Sequence, residues 1–239
     1  MTKSILKHIQ NARATNEKLI AILLDPDKTS SDEIPSISKR IEKLKANFIF
    51  VGGSLVENGK TTFFVKTLKK HTQIPVVLFP GDYSQVTNEA DALLFLSLLS
   101  GRNPEYLIEQ QIKSVPFLKN STLEIIPTGY ILIDGGTQSS VLKVSKTTPI
   151  SQENIELAVA TAIAGMYKGK QLIYLEAGSG AIKPVNAKII SEVHKNISIP
   201  LIVGGGIRTK KQLTTAFENG ADLVIIGTAF EKHIDLFNT

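Results

Sequence analysis

Tyr174-Leu-Glu-Ala-Gly-Ser-Gly180, Val203-Gly-Gly-Gly-Ile-Arg208 and Ile226-Gly-Thr228 are three glycine turns, each closing a short apolar run. Glycine lets backbone N–H groups approach an anion closely, and a helix that follows adds the positive end of its dipole. The pattern predicts a phosphate site. In a (β/α)8 barrel that site lies at the loops after strands seven and eight, which is where the last two turns fall when strands are counted from the amino terminus.

Working outward, eight strand-like runs are present: Leu19–Pro26, Asn47–Ser54, Ile74–Gly81, Ala92–Gly101, Glu124–Asp134, Leu172–Ser179, Pro200–Ile207 and Ala221–Phe230. Most are nearly continuous in Ile, Val, Leu and Phe, as strands buried on both faces are. Polar segments with helical spacing lie between them, such as Ile34, Ile37, Ile41 and Leu44, or Ile155, Ala158, Val159, Ala162 and Ile163. Strand then helix, repeated, predicts a closed parallel α/β barrel, a single (β/α)8 TIM barrel spanning residues 1–239. One unit is irregular: Asp82–Asp91 is too short and polar for a full third crossover helix. Gly135–Pro149, rich in Ser, Thr and Gly, reads as a loop at the barrel mouth.

Composition agrees with one such barrel. The 239 residues match a fold of about 250, and 42% hydrophobic with 21% charged residues argues against disorder. The absence of cysteine excludes disulfides, thiolate catalysis and cysteine-bound metals. His8, His71, His194 and His233 contain no pair at metal-ligand spacing, so zinc is not expected. The basic amino terminus lacks an apolar signal core, and Ala92–Leu99 is far short of the roughly 20 residues that span a bilayer, so a cytoplasmic location is expected. The formal charge of +5 suits anionic substrates or an anionic membrane surface, although the lysines are spread as on a solvated surface.

Several side chains at strand ends have chemistry to offer. Asp25, in Leu23-Leu-Asp-Pro-Asp-Lys28, is a candidate metal ligand or general base, or else a turn cap; Asp27 and Lys28 read as solvated loop. Ser54 follows the paired Gly52 and Gly53 on the neighbouring strand, either in a plain turn or sharing a magnesium ion with Asp25. Tyr174 and Glu176 share one strand face, opposite Ile173, Leu175 and Ala177. If the apolar face points outward, Glu176 enters the mouth beside Gly178-Ser-Gly180 as a proton acceptor, the alternative being a salt bridge. Leu93–Leu99 reads as core strand rather than groove wall, and Arg102 and Arg208 are candidate anion contacts. A Walker A sequence, a Rossmann fingerprint after the first strand and an aspartate-rich Asp-Asp-x-x-Asp cluster are missing.

Together with Leu24-Asp-Pro-Asp-Lys28, Val51-Gly-Gly-Ser54, Phe79-Pro-Gly81, Ser100-Gly-Arg102 and Pro127-Thr-Gly-Tyr130, the three late turns resemble the geranylgeranylglyceryl phosphate synthase family from strand one to strand eight. The resemblance implies a magnesium-dependent transfer of a polyprenyl group, geranylgeranyl above all, from its diphosphate to the C3 hydroxyl of sn-glycerol 1-phosphate. It makes Asp25 and Ser54 the Mg2+ ligands and Glu176 the base. Tyr174, Leu175, Glu176, Ala177, Gly178, Ser179, Gly180, Gly205, Gly206, Gly227 and Thr228 would bind glycerol 1-phosphate. It also implies a barrel with its third helix replaced, a homo-oligomer, peripheral membrane contact for product release, and no nucleic-acid partner. Many members carry lysine two residues before the metal-ligating aspartate; Leu23 stands there in this chain. The competing readings are a phosphoribosyl isomerase using Asp25 and Asp134, and a non-catalytic barrel that binds a phosphorylated ligand or flavin mononucleotide.

Overall fold

Continuous apolar runs have to bury both faces, and a closed parallel sheet wrapped in helices does so. A computed structural model, which describes residues 4–227 and Phe230, has this arrangement. The strands are β1 (Leu19–Leu24), β2 (Phe48–Val51), β3 (Val76–Leu78), β4 (Ala92–Leu98), β5 (Glu124–Leu132), β6 (Leu172–Glu176), β7 (Leu201–Gly204) and β8 (Leu223–Ile226). They pair in sequence order, all parallel, and β8 closes on β1 through pairs such as Leu19 with Leu223. Each of the eight predicted runs contains a strand shorter than the run itself.

The helices are α1 (Ile5–Thr15), α2 (Ile34–Lys43), α3 (Lys60–Leu68), α4 (Gln110–Leu118), α5 (Ser140–Ser145), α6 (Ile155–Tyr167), α7 (Ala187–Asn196) and α8 (Lys210–Glu218). Ile34, Ile37 and Ile41 form the buried face of α2, as their spacing predicts. Between β3 and β4 there is only one 3-10 turn, Tyr83–Gln85, so the expected gap in the helical layer is real. The next crossover begins with a π-helical turn, Glu105–Glu109, before α4. Gly135–Pro149 departs from the loop reading: Ser139 caps the six-residue α5, its hydroxyl accepting the Leu142 N–H at 3.3 Å. Six residues are too few for helical periodicity to stand out in a Ser/Thr-rich stretch.

Two apolar layers follow from the alternation of side chains. The barrel interior holds Phe48, Phe50, Val77, Leu94, Ile126, Tyr130 and Tyr174, while Ile49, Val51, Ile173, Leu175 and Val203 pack outward on the helices. Helix α1 is an addition that the sequence reading missed. Its Ile5, Ile9 and Ala12 join the interior layer and close the amino-terminal end of the barrel. Glu124, the first residue of β5, anchors it by accepting hydrogen bonds from Ser4 Oγ (2.6 Å) and from the N–H groups of Ile5 (2.6 Å) and Leu6 (3.1 Å). The strands' carboxyl ends are left open as the functional mouth.

Candidate active site

Glu176 is the last residue of β6, and the alternation that sends Leu175 outward turns it into the barrel. It is 6% exposed. The Tyr174 hydroxyl donates to Oε2, and the Gly178 N–H donates to Oε1 at 2.7 Å. Burial raises its pKa above the ordinary 4.5, although these two hydrogen bonds act in the opposite sense. The salt-bridge alternative does not hold, since no cation pairs with it among the described residues. A buried carboxylate held by neutral donors, with raised basicity, is suited to accepting a proton.

The glycines of the next turn make room for it. At Gly205, whose φ is +79°, an added Cβ would stand 2.4 Å from Glu176 Oε1 and 2.7 Å from the Gly178 nitrogen. At Gly204 it would stand 2.5 Å from the Tyr174 hydroxyl. Side chains at these two positions would collide with the carboxylate and its donor.

These groups border an open cleft of about 240 Å³. It brings together Tyr174, Glu176, Gly178, Ser179, Gly180, Gly205, Gly206 and Gly227 on one side and Asp25 and Ser54 on the other. Leu175 and Ala177 belong to the predicted binding stretch, but their side chains are in the outer layer and do not line the cleft. Thr228 lies outside the described residues. Arg208 has a job that sequence did not suggest: its guanidinium donates to the carbonyls of Ala181 (2.6 Å) and Gly180 (3.3 Å), bracing the glycine turn after β6. Arg102 instead folds back onto the carbonyls of Gly101 (2.8 Å) and Leu99 (3.1 Å) and borders neither cavity.

Asp25 both caps its turn and lines the cleft. Its Oδ1 accepts the Asp27 N–H at 3.0 Å, and its Oδ2 pairs with Lys28 Nζ at 2.7 Å. Lys28 and Asp27 are therefore not simply solvated, for Asp27 in turn pairs with Lys60 at 2.8 Å. The i,i+3 spacing of Asp25 and Lys28 was a legible signal; the Lys60 contact comes from the start of α3 and was not. Gly53 packs directly on the carboxylate, with an added Cβ only 2.9 Å from Oδ1. Asp134, the second carboxylate that an isomerase would need, is exposed, caps Gly136 at 2.9 Å, and is absent from the cleft.

A second cavity, about 110 Å³, runs from the cleft between the segment after β3, β4 and α4. Leu93, Leu94, Phe95, Leu96 and Leu98 line it with Val86 and Tyr106. The preference for β4 as pure core is thus corrected. With only a single 3-10 turn in place of the third helix, part of this strand is left facing a channel. Gly53, Ser54, Phe79, Tyr130 and Val141 border both cavities, so the channel opens into the cleft at these residues.

Residues 12–238 match the model of the PcrB family. The chain is 56% identical over 230 residues to a geranylgeranylglyceryl phosphate synthase of Zunongwangia profunda, covering 95% of this chain and 97% of that protein. It is 51% identical to the protein of the same name in Flavobacterium johnsoniae, covering 99% and 97%. The crystal structure of (S)-3-O-geranylgeranylglyceryl phosphate synthase from Thermoplasma acidophilum, in complex with its substrate sn-glycerol-1-phosphate, superposes with a TM-score of 0.92 at 31% identity, covering 99% of this chain and 95% of that one. With the family model matched along nearly its whole length and the barrel shared with that solved structure, this chain belongs to the PcrB family.

Proposed function

We propose that the chain transfers a geranylgeranyl group from its diphosphate to the C3 hydroxyl of sn-glycerol 1-phosphate, forming a prenylglyceryl phosphate ether and releasing diphosphate. The observation that carries this reading is the meeting of two unlike cavities: a glycine-walled cleft with one buried carboxylate, and a more apolar channel opening into it. The cleft suits a small phosphorylated alcohol, whose phosphate the backbone N–H groups of the turns after β6 to β8 receive. The channel suits a hydrocarbon chain. Glu176 takes the hydroxyl proton as the oxygen attacks the prenyl C1, whose bond to the diphosphate oxygen breaks with its electron pair leaving on the diphosphate.

Magnesium belongs to the same reading. Asp25 and Ser54 supply one carboxylate and one hydroxyl on a shared wall, a hard-oxygen set that fits Mg2+ when water and diphosphate oxygens complete the shell. Among the described residues, no group of three or more His, Asp or Glu could hold a metal by itself, which favours a metal that enters with the substrate. Bound there, the ion would neutralise charge on the departing diphosphate.

A cytoplasmic homo-oligomer that touches a membrane during product release completes the proposal. No helix among the described residues is long and apolar enough to cross a membrane. The exposed row Ile108, Ile112 and Val115 supports a covered face beside the channel. The test is incubation with Mg2+, radiolabelled glycerol 1-phosphate and prenyl diphosphates of graded length, followed by lipid extraction. Labelled lipid that forms with Mg2+, disappears with chelator, and fails to form with Asp25→Ala is the expected result. Turnover insensitive to both overturns the metal assignment.

A further inference from the structure

Tyr130 carries a buried hydroxyl that the fold leaves without a partner. It lies on β5 in register with Tyr174 on β6 and is 4% exposed. Its ring is held edge-on against Tyr174 at 5.3 Å and tilted against Phe79 at 5.9 Å, centroid to centroid. Among the described residues its hydroxyl makes no hydrogen bond, whereas Tyr174 gives its own to Glu176. A buried hydroxyl without a partner costs stability, so a fold that keeps one points to a partner supplied by a ligand.

The location says which ligand. Tyr130 borders the glycine-walled cleft and the apolar channel at once, beside Ser54 and Phe79. A molecule with an apolar tail and an anionic head crosses from one cavity to the other at this junction, placing the bond between tail and head here.

We propose that Tyr130 is a catalytic residue whose hydroxyl donates a hydrogen bond to the diphosphate oxygen that leaves the prenyl C1, an inference that rests on the transfer reading above. The C1–O bond to diphosphate breaks with its electron pair on that oxygen, the glycerol C3 oxygen bonds to C1, and its proton passes to Glu176. Tyr130 keeps its proton throughout and supplies only the hydrogen bond. Burial, and secondarily the Glu176 charge, push the phenol well above its ordinary pKa of 10, so it remains a donor at neutral pH. A fixed donor is most useful where negative charge develops, which is the departing oxygen. Directed at the attacking oxygen instead, it would withdraw electron density from the nucleophile and slow the attack.

The experiment is Tyr130→Phe, which keeps the ring and removes the hydroxyl. With both substrates saturating, kcat should fall roughly 10²-fold, the loss typical of a missing oxyanion donor. The dissociation constant for glycerol 1-phosphate should stay within about twofold, since acceptor binding is not involved. The Tm of the ligand-free protein should equal or exceed that of the wild type, because an unpaired buried hydroxyl has gone. A kcat within about twofold of wild type overturns the inference, as does a loss of acceptor affinity with kcat unchanged. A lowered Tm overturns it as well, by revealing a structural partner. If the wild type itself makes no prenyl ether, the transfer reading fails and takes the inference with it; if the wild type is active and Tyr130→Phe equally so, only the inference fails.

Discussion

The two ends of the barrel treat their carboxylates differently. At the closed end, Asp222 accepts from Arg13 and from the Leu201 N–H, both at 2.8 Å, and Glu124 collects three donors at the start of α1. At the open end, Glu176 is buried like Asp222 but has one phenol, one N–H and, among the described residues, no cation. A buried charge left without a counter-charge is expensive unless it has a use, whereas a saturated one only holds elements together. Removing a carboxylate should therefore cost stability at one end and rate at the other.

Glu176→Gln should have the largest effect. It should lower kcat by roughly 10²- to 10⁴-fold, as loss of a general base does, while the acceptor dissociation constant and Tm change little. Because burial raises the Glu176 pKa above 4.5, the wild-type rate should climb with pH along a limb lying above that value. Steady-state kinetics across pH, with calorimetry of acceptor binding, would check both; near-normal kcat in the variant would make Glu176 structural.

Asp222→Ala should do the reverse. Arg13 and the Leu201 N–H lose their partner, and the break should cost about 3 kcal/mol of folding stability by denaturant titration. Turnover per folded molecule should persist. A kcat collapse in protein shown to be folded would erase the contrast between the ends.

Glu124→Gln is a smaller perturbation, since the amide still accepts hydrogen bonds at α1 but loses the charge that favours a helix amino terminus. About 1 kcal/mol is expected, seen as a lower denaturation midpoint with kinetics unchanged. Equal stability of the two proteins would mean that α1 is held by apolar contact alone.

The smallest effect concerns His194, beside Arg13 and Asp222. Burial, then the Arg13 charge, lower its pKa from 6.5 in the fold. The unfolded chain thus binds the proton first, so this contribution to stability is complete above pH 6.5 and is lost as pH falls towards the depressed folded value. Glu176 contributes with opposite sign, its raised pKa favouring the fold as pH falls. Comparing Tm against pH for wild type and His194→Gln isolates the histidine: the variant should lose part of the acid-side decline, and parallel curves would remove His194 from the account.

Much of the site was legible because its signals are local. Glycines at strand ends mark close backbone approach, and period-two alternation puts Tyr174 and Glu176 on one face whatever surrounds them. The β4 channel was not legible. Leu93–Leu99 reads the same whether a helix covers it or not, and only the missing third helix leaves it facing a cavity. Helix α1 was hidden for a similar reason, since its anchor Glu124 is 120 residues from Ser4.

The amino-acid sequence alone determined the eight-stranded barrel, the glycine turns at its open end and the shared face of Tyr174 and Glu176, because hydrophobic period and glycine placement act over a few neighbouring residues. Tertiary structure decided the Asp27–Lys60 pairing, the bracing of the β6 turn by Arg208, the joining of channel to cleft, and the isolation of the Tyr130 hydroxyl. Each of these depends on side-chain rotamers and on what the closed sheet brings together across the mouth. Short-range pattern carries no information about whether a buried polar atom finds a partner there.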